Sequence, residues 1–254
     1  MDYSRKKEPE EIRDYGAERW FSKEPNSGRD RNLSNLDVVL SGDNAGGGFA
    51  ILAGREGKMI LAFGHKARQG KDTAGEAVVE FYNTRRKCAL VHYGVCKTNN
   101  AKEAFAALYP EARIFKFADE LYRICREEYG MTEKDAPLLQ RIGDGRREQF
   151  GHNYWINRLA DKVVNFKGVA VITDVRYTNE AQWVENIGGH CINVRRLNEN
   201  GTPYVAPDRD PNFISEIQLD GYNYEYHIVA KTGQAALVGD LAITIAEHIR
   251  ALES

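Results

Sequence analysis

The chain has 254 residues, with 35 Lys and Arg against 37 Asp and Glu and a formal net charge of -2. That balance argues against a protein that coats nucleic acid nonspecifically, which carries a basic excess. No window approaches the roughly 18 apolar residues that span a bilayer. The charged start Met1 to Lys7 lacks the apolar core of a secretory signal. The four cysteines at 88, 96, 125 and 191 form no Cys-x-x-Cys pair and no zinc pattern with the six histidines. They read as reduced thiols used as small apolar residues, and a soluble cytoplasmic protein without a membrane partner is expected.

Residues 1–36 hold sixteen charged residues, eight of each sign, and few aliphatics before Leu33. Such a segment has too little apolar surface for a core and reads as an extension. Val38 to Leu40 and Phe49 to Leu52 flank the glycine-rich stretch Gly42 to Gly48. Two short strands around a hairpin tip are predicted there rather than a ligand cradle, because no helix-forming run follows. The boundary between an N-terminal extension, 1–57, and a single domain, 58–254, is placed after this hairpin.

Met59 to Phe63 is a continuous apolar run, the form of a strand buried on both faces. Ala74, Ala77, Val78 and Phe81 then recur at helical spacing. A helix is expected over Ala101 to Tyr109, a strand over Arg113 to Phe117, and a helix with Leu121, Ile124 and Cys125 on its inner face. Tyr154 to Phe166 predicts a helix with Ile156, Leu159, Ala160 and Val163 inward. Val169 to Thr173 is the clearest buried strand. A helix over about 178–187, strands at Cys191 to Val194 and Tyr226 to Ala230, and a helix carrying Leu237, Leu241, Ile245 and Ile249 complete the series. Alternating strands and helices imply an α/β fold, a parallel sheet with helices on both faces.

The stretch Phe63 to Thr73 reads Phe-Gly-His-Lys-Ala-Arg-Gln-Gly-Lys-Asp-Thr and lies between the first strand and the first amphipathic helix, the context of a P-loop. Backbone N–H groups of such a loop, with the helix N-terminus, surround a polyphosphate, and Gly70 would allow close approach. Lys71 would reach the β- and γ-phosphates of ATP, and the Thr73 hydroxyl would meet Mg²⁺ or an α-phosphate. Between Gly64 and Lys71 lie His65, Lys66 and Arg68 and no acid, which suits an anionic ligand. In the Gly-x-x-x-x-Gly-Lys-[Ser/Thr] template the first glycine falls on His65 and the hydroxyl position on Asp72. The other reading is therefore a basic strand-to-helix turn without nucleotide.

Lys66-Ala67-Arg68 followed by Gly70-Lys71-Asp72-Thr73 resembles the phosphate loop of bacteriophage-type deoxynucleoside monophosphate kinases, within the P-loop kinase superfamily. Further segments follow in that family's order. Phe117-Ala118-Asp119-Glu120-Leu121 resembles its F-A-D-x-L entry to the monophosphate-binding helices, and Leu138-Leu139-Gln140-Arg141-Ile142-Gly143 its L-x-Q-x-x-G segment. Trp155-Ile156-Asn157-Arg158-Leu159 is similar to its tryptophan-led helix, Asp174 to Glu180 to its D-x-R-x-x-x-E signature, and Ile214-Ser215-Glu216 to its late I-[ST]-E. The resemblance covers about 60–250. Tyr122 and Asp144 depart from it, standing in place of a lysine and a hydroxyl residue, and Lys231 stands where an asparagine follows the last strand.

The resemblance implies a P-loop NTPase-like sheet and an enzyme that uses ATP, with Mg²⁺, to phosphorylate deoxynucleoside monophosphates by direct in-line transfer. It implies that Lys66, Ala67, Arg68, Gly70, Lys71, Asp72 and Thr73 hold ATP, and that Lys71, Arg68 and Arg176 neutralise the transferring group. Asp72, Thr73 and Asp174 would organise Mg²⁺. Asp119, Gln140, Gly143, Trp155, Asp174, Arg176, Glu180 and Arg196 would hold the acceptor.

Read as residues, several of these keep two roles. Asp174 and Arg176, at the carboxyl edge of a central strand, suit Mg²⁺ through water and a phosphate clamp, or form a surface ion pair. Arg68 is a phosphate partner or a solvated loop charge. Asp119 is a substrate contact or a helix N-cap. Gln140 has the donor and acceptor that base recognition needs, or caps local backbone. Trp155 is a stacking platform or core, and Glu180 orients Arg176 or starts a helix. Arg141, Arg146, Arg147 and Arg158 are a phosphate-covering lid or a solvated helix face. The partners expected are small nucleotides, without stable nucleic-acid binding and with a homodimer left open. A P-loop kinase acting on a modified base in DNA, and a nonenzymatic nucleotide-binding protein with a degenerate loop, are the rival functions.

Overall fold

The computed structural model describes residues 58–93 and 109–253, with side chains to Ala89 in the first stretch. The expected hairpin at 37–58 and most of the helix expected over 101–109 lie outside these residues. Among the described residues there are five strands: β1 Met59–Gly64, β2 Ala112–Phe115, β3 Val169–Val175, β4 His190–Leu197 and β5 Tyr226–Lys231. They form one sheet in the order β2-β3-β1-β4-β5, and every pairing is parallel. β1 is central, with Leu61 opposite Val171 on one side and His190 on the other.

The helices are α1 Lys71–Tyr93, α2 Ala118–Tyr129, α3 Ala136–Phe150, α4 Tyr154–Val164, α5 Thr178–Asn186, the short α6 Ile214–Ile217 and α7 Ala235–Glu253. Strand alternation divides them between the faces. Ile60 and Ala62 of β1 join a core with Ile124 of α2, Leu139 of α3, Leu159 of α4 and Val184 of α5. Met59, Leu61 and Phe63 point the other way, to Val78 and Tyr82 of α1 and Ala242 and Ile249 of α7. All six residues of β1 are buried because both faces are covered. The fold is α/β, a P-loop-type parallel sheet between two helical layers.

Two local features position the site. The strand expected to run to Phe117 stops at Phe115, because the N–H groups of Phe117 and Ala118 turn to the Asp174 carboxylate of β3. Gly75 lets α1 approach the sheet closely: a Cβ there would stand 2.3 Å from Thr173 Cγ2. No helix among the described residues is long and apolar enough to cross a membrane.

Candidate functional site

The site forms at the carboxyl ends of β1, β3, β4 and β5, where sheets of this kind place ligands. Between β1 and α1 the chain runs through His65–Gly70, with positive φ at Arg68 (56°) and Gly70 (101°). Gly adopts the left-handed region freely, whereas Arg68 is held there by its surroundings. Lys71 opens α1, and its buried Nζ donates to the carbonyls of His65 (2.8 Å) and Lys66 (2.5 Å). Burial, reinforced by the neighbouring Arg176 cation, holds the Lys71 pKa down to about 7.

Each side chain of the loop is tied to the segment that follows β4. The Lys66 ammonium pairs with Asp220 at 2.9 Å, and the exposed Arg68 guanidinium pairs with Asp208 at 2.6 Å. The buried Gln69 amide donates to the Tyr204 carbonyl at 3.1 Å, and its oxygen accepts the Arg196 N–H at 2.6 Å. The Ala67 N–H donates to Glu216 Oε2 at 2.8 Å, while Glu216 Oε1 accepts from the Arg176 guanidinium at 2.7 Å. Glu216 is 5% exposed and joins the phosphate loop to β3's following residue.

Asp72, in the hydroxyl position of the loop template, uses one oxygen to accept from Lys116 Nζ (2.6 Å) and the Thr173 hydroxyl (2.8 Å). Burial pushes its carboxyl up, but these two donors outweigh that and hold it below the usual range. Asp174 accepts the Phe117 and Ala118 N–H groups at 3.0 and 2.9 Å and so caps α2 from another strand. Burial pushes the Asp174 carboxyl above its usual range against the pull of those two donors. Glu180 accepts the Arg176 and Tyr177 N–H groups and pairs with Arg147 at 3.0 Å; burial raises its pKa to about 7.

Two clefts flank the loop. The first, about 290 Å³, is lined by Phe117, Leu121, Leu139, Trp155 and Tyr177, by the Gln140 amide, and by Lys116, Lys134, Arg147 and Arg209. The second, about 470 Å³, runs from Arg68–Thr73 to Ala230, Lys231 and Gly233–Ala235 at the end of β5 and the start of α7. Asp72 and Arg176 line both.

The structure brings Gln140, Gly143, Trp155, Asp174, Arg176 and Glu180 together around the first cleft. Asp119 does not join them. It is exposed in the first turn of α2, and it is not the N-cap either, since Phe117 holds that position and Asp174 supplies the carboxylate. Arg196 lines the second cleft instead, its guanidinium bonded to the Thr232 hydroxyl at 3.0 Å and stacked 4.1 Å from the Tyr204 ring. Trp155 is core: 2% exposed, its indole N–H donating to the Gly143 carbonyl at 3.1 Å. Glu180 starts α5 and holds the Arg176 backbone, while the Arg176 guanidinium belongs to Glu216. Of the four basic positions in the lid reading, Arg147 faces the cleft, packed 3.8 Å over the Tyr177 ring, and Arg146 pairs with Glu128.

Glu216 was not among the residues expected to act. Its only sequence signal is the Ile214-Ser215-Glu216 triplet, because a lone acid in a polar loop carries no periodicity. Lys116 and Lys134 also escape sequence reading. They bring cations to the cleft where Tyr122 stands in place of a lysine. Among the described residues no group of three or more His, Cys, Asp or Glu side chains is arranged to hold a metal alone. The free oxygen of Asp72 and the Thr73 hydroxyl, which lies along the second cleft, fit a Mg²⁺ that arrives with phosphate oxygens of its own. Both oxygens of Asp174 are already committed to α2. Neither a scan against protein-family models nor a search of curated proteins finds a match to this chain.

Proposed function

We propose that the protein is an ATP-dependent kinase that converts deoxynucleoside monophosphates to diphosphates. The observation that carries this reading is the pair of clefts meeting at Asp72 and Arg176, with Lys71 lining the second of them. Transfer between two phosphates needs two anionic ligands held end to end, with cations at the junction. The second cleft takes the triphosphate along Gly70–Thr73 and the base near Gly233–Ala235. The first takes the acceptor, its base among Phe117, Leu121 and Tyr177 beside the Gln140 amide, and its phosphate toward Arg147 and Arg176.

No general base is required, because a monophosphate oxygen is already nucleophilic. Lys71 and Arg176 stabilise the charge that spreads over the transferring group. Glu216 keeps the Arg176 guanidinium at the junction, and Glu180 fixes its backbone. Mg²⁺, where it accompanies the nucleotide, screens the phosphates, and Asp72 and Thr73 are the residues that would hold it.

The test is a Mg²⁺/ATP assay over all common deoxynucleoside and ribonucleoside monophosphates, with Lys71→Ala and Arg176→Ala alongside. Diphosphate formation that falls at least about a hundredfold in both variants is expected, from loss of phosphate charge stabilisation. Equal activity in the parent and in Lys71→Ala overturns the reading, as does the absence of turnover on every monophosphate.

A further inference from the structure

A third cavity, about 390 Å³, lies beside the ends of β1 and β4, on the far side of the phosphate loop. It shares only Gln69 and Arg196 with the second cleft and nothing with the first. Its lining includes His65, Asn193, Arg195, Tyr204, Asp220 and Tyr222. Neither the phosphoryl transfer nor the packing of the core uses it.

The polar atoms here are unusual. His65 Nε2, Asn193 Oδ1 and Tyr224 Oη are buried without a hydrogen-bond partner among the described residues. Native structures leave few such atoms, because each forfeits a hydrogen bond to water. The three lie close in the fold. Asn193 stands opposite Gly64 in the β1–β4 register, His65 follows Gly64, and the Tyr224 hydroxyl is 2.6 Å from where a Gly64 Cβ would be.

His65 is 6% exposed, and burial holds its pKa down to about 4, so the ring is neutral. Its Nε2 has no hydrogen-bond partner among the described residues. Asp220 Oδ1 stands 3.4 Å from it and is already paired with the Lys66 ammonium at 2.9 Å. A donor from the cavity would satisfy Nε2 and Asn193 Oδ1. At the rim, the exposed Arg195 makes no ion pair among the described residues, Arg196 adds positive charge, and Lys66 and Asp220 offset one another. A cationic ligand is disfavoured by these neighbours. An anion with N–H or O–H groups suits both rim and floor.

We propose that this cavity is a second ligand site, for a small phosphate ester that gives N–H or O–H donors to His65 and Asn193 and its phosphate to Arg195. Sugar phosphates and nucleotides share that chemistry. The site is separate from the kinase reading and stands or falls without it.

The test titrates the full chain by calorimetry with ribose 5-phosphate, with deoxyadenosine monophosphate and with inorganic phosphate. Each titration is run in the presence and absence of excess tripolyphosphate, which carries no N–H donors and occupies the phosphate loop. One of the esters is expected to bind at least about tenfold more tightly than inorganic phosphate and to keep that affinity with tripolyphosphate present. Arg195→Ala and Asn193→Leu each weaken it about tenfold or more, the loss of one hydrogen bond to a charged or buried group. Arg195 is exposed, so its variant decides the matter even where Asn193→Leu fails to fold. Binding of ribose 5-phosphate identifies a sugar-phosphate site, and binding of the nucleotide alone, lost in Arg195→Ala, a nucleotide site. The proposal is overturned where neither ester exceeds inorganic phosphate, where tripolyphosphate displaces the ester, or where Arg195→Ala leaves its binding unchanged.

Discussion

Asp174 separates two roles that the same position supports, a partner for Mg²⁺ or phosphate and a cap for the helix that opens the acceptor cleft. Its carboxylate accepts two backbone N–H groups at 3.0 and 2.9 Å, from Phe117 and Ala118. Hydrogen bonds to a charged group contribute about 1.5–3 kcal/mol each, and loss of an N-cap costs about 0.5–2 kcal/mol. Asp174→Ala removes both bonds and leaves two part-buried donors unpaired, so a loss of about 3 kcal/mol is expected. Asp174→Asn keeps one acceptor. It also relieves the burial that pushes the carboxyl above its usual range, so its loss is nearer about 1 kcal/mol. Urea unfolding measures both. For a domain of this size the Ala variant melts about 6–12 °C below the parent. An Ala variant within about 0.5 kcal/mol of the parent refutes the capping argument. Activity measured against Mg²⁺ concentration completes the test. A capping residue leaves the Mg²⁺ dependence of the folded Asn variant unchanged, whereas a metal partner shifts it.

Three further outcomes are expected. Lys71 has its pKa lowered to about 7, so between about 7 and 10.5 the unfolded chain binds a proton that the folded chain does not. Its contribution to stability therefore rises with pH across that window, and urea midpoints of Lys71→Met at pH 7, 8 and 9 lose this slope relative to the parent. Gly75→Ala places a Cβ 2.3 Å from Thr173 Cγ2 and 3.1 Å from Val171 Cγ1, and overpacking of this kind costs about 1–3 kcal/mol. Because Thr173 donates to Asp72, the same variant weakens ATP binding, which calorimetry reads directly. Trp155→Phe removes the indole N–H bond to the Gly143 carbonyl, which keeps its partner within the helix, for a loss of about 0.5–1.5 kcal/mol in urea, and leaves the KM for the proposed acceptor within about twofold if the ring is core.

The sheet was legible because its central strands β1 and β3 are covered on both faces. Met59–Phe63 and Val169–Thr173 are continuous apolar runs, and no other short element reads that way. The loop at 65–70 was legible as a strand-to-helix connection from its place between a strand and a helix. The capping of α2 was not, because the carboxylate comes from Asp174, over fifty residues away in sequence. Asp119 carries the local signature of an N-cap, yet the nearest acceptor in space is another strand. Helix α3 escaped for a different reason. Gly143, Gly145 and the pair Arg146-Arg147 interrupt its apolar face, in which only Leu139, Ile142 and Gly143 itself are buried. Arg196 was misplaced because strand direction says that it ends β4, not which cleft that end adjoins.

The charge arithmetic of the chain takes on meaning at this loop. A net charge of -2 conceals a basic loop whose exposed cations are matched by carboxylates from the segment after β4, Lys66 by Asp220 and Arg68 by Asp208, as Arg176 beside it is by Glu216. These pairs are not equivalent. Arg68 and Asp208 are 55% and 47% exposed, and such surface pairs contribute about 0–1 kcal/mol. A polyphosphate, with several charges at close range, displaces those partners readily. Glu216 is buried and also holds the Ala67 N–H, and breaking a buried pair costs about 3–5 kcal/mol. Arg176 therefore keeps its carboxylate when an anion arrives and offers its remaining N–H groups. On the proposed function, the loop's exposed cations would exchange partners while Arg176 stays where β3 and Glu216 set it, the fixed charge that in-line transfer between the two clefts would require.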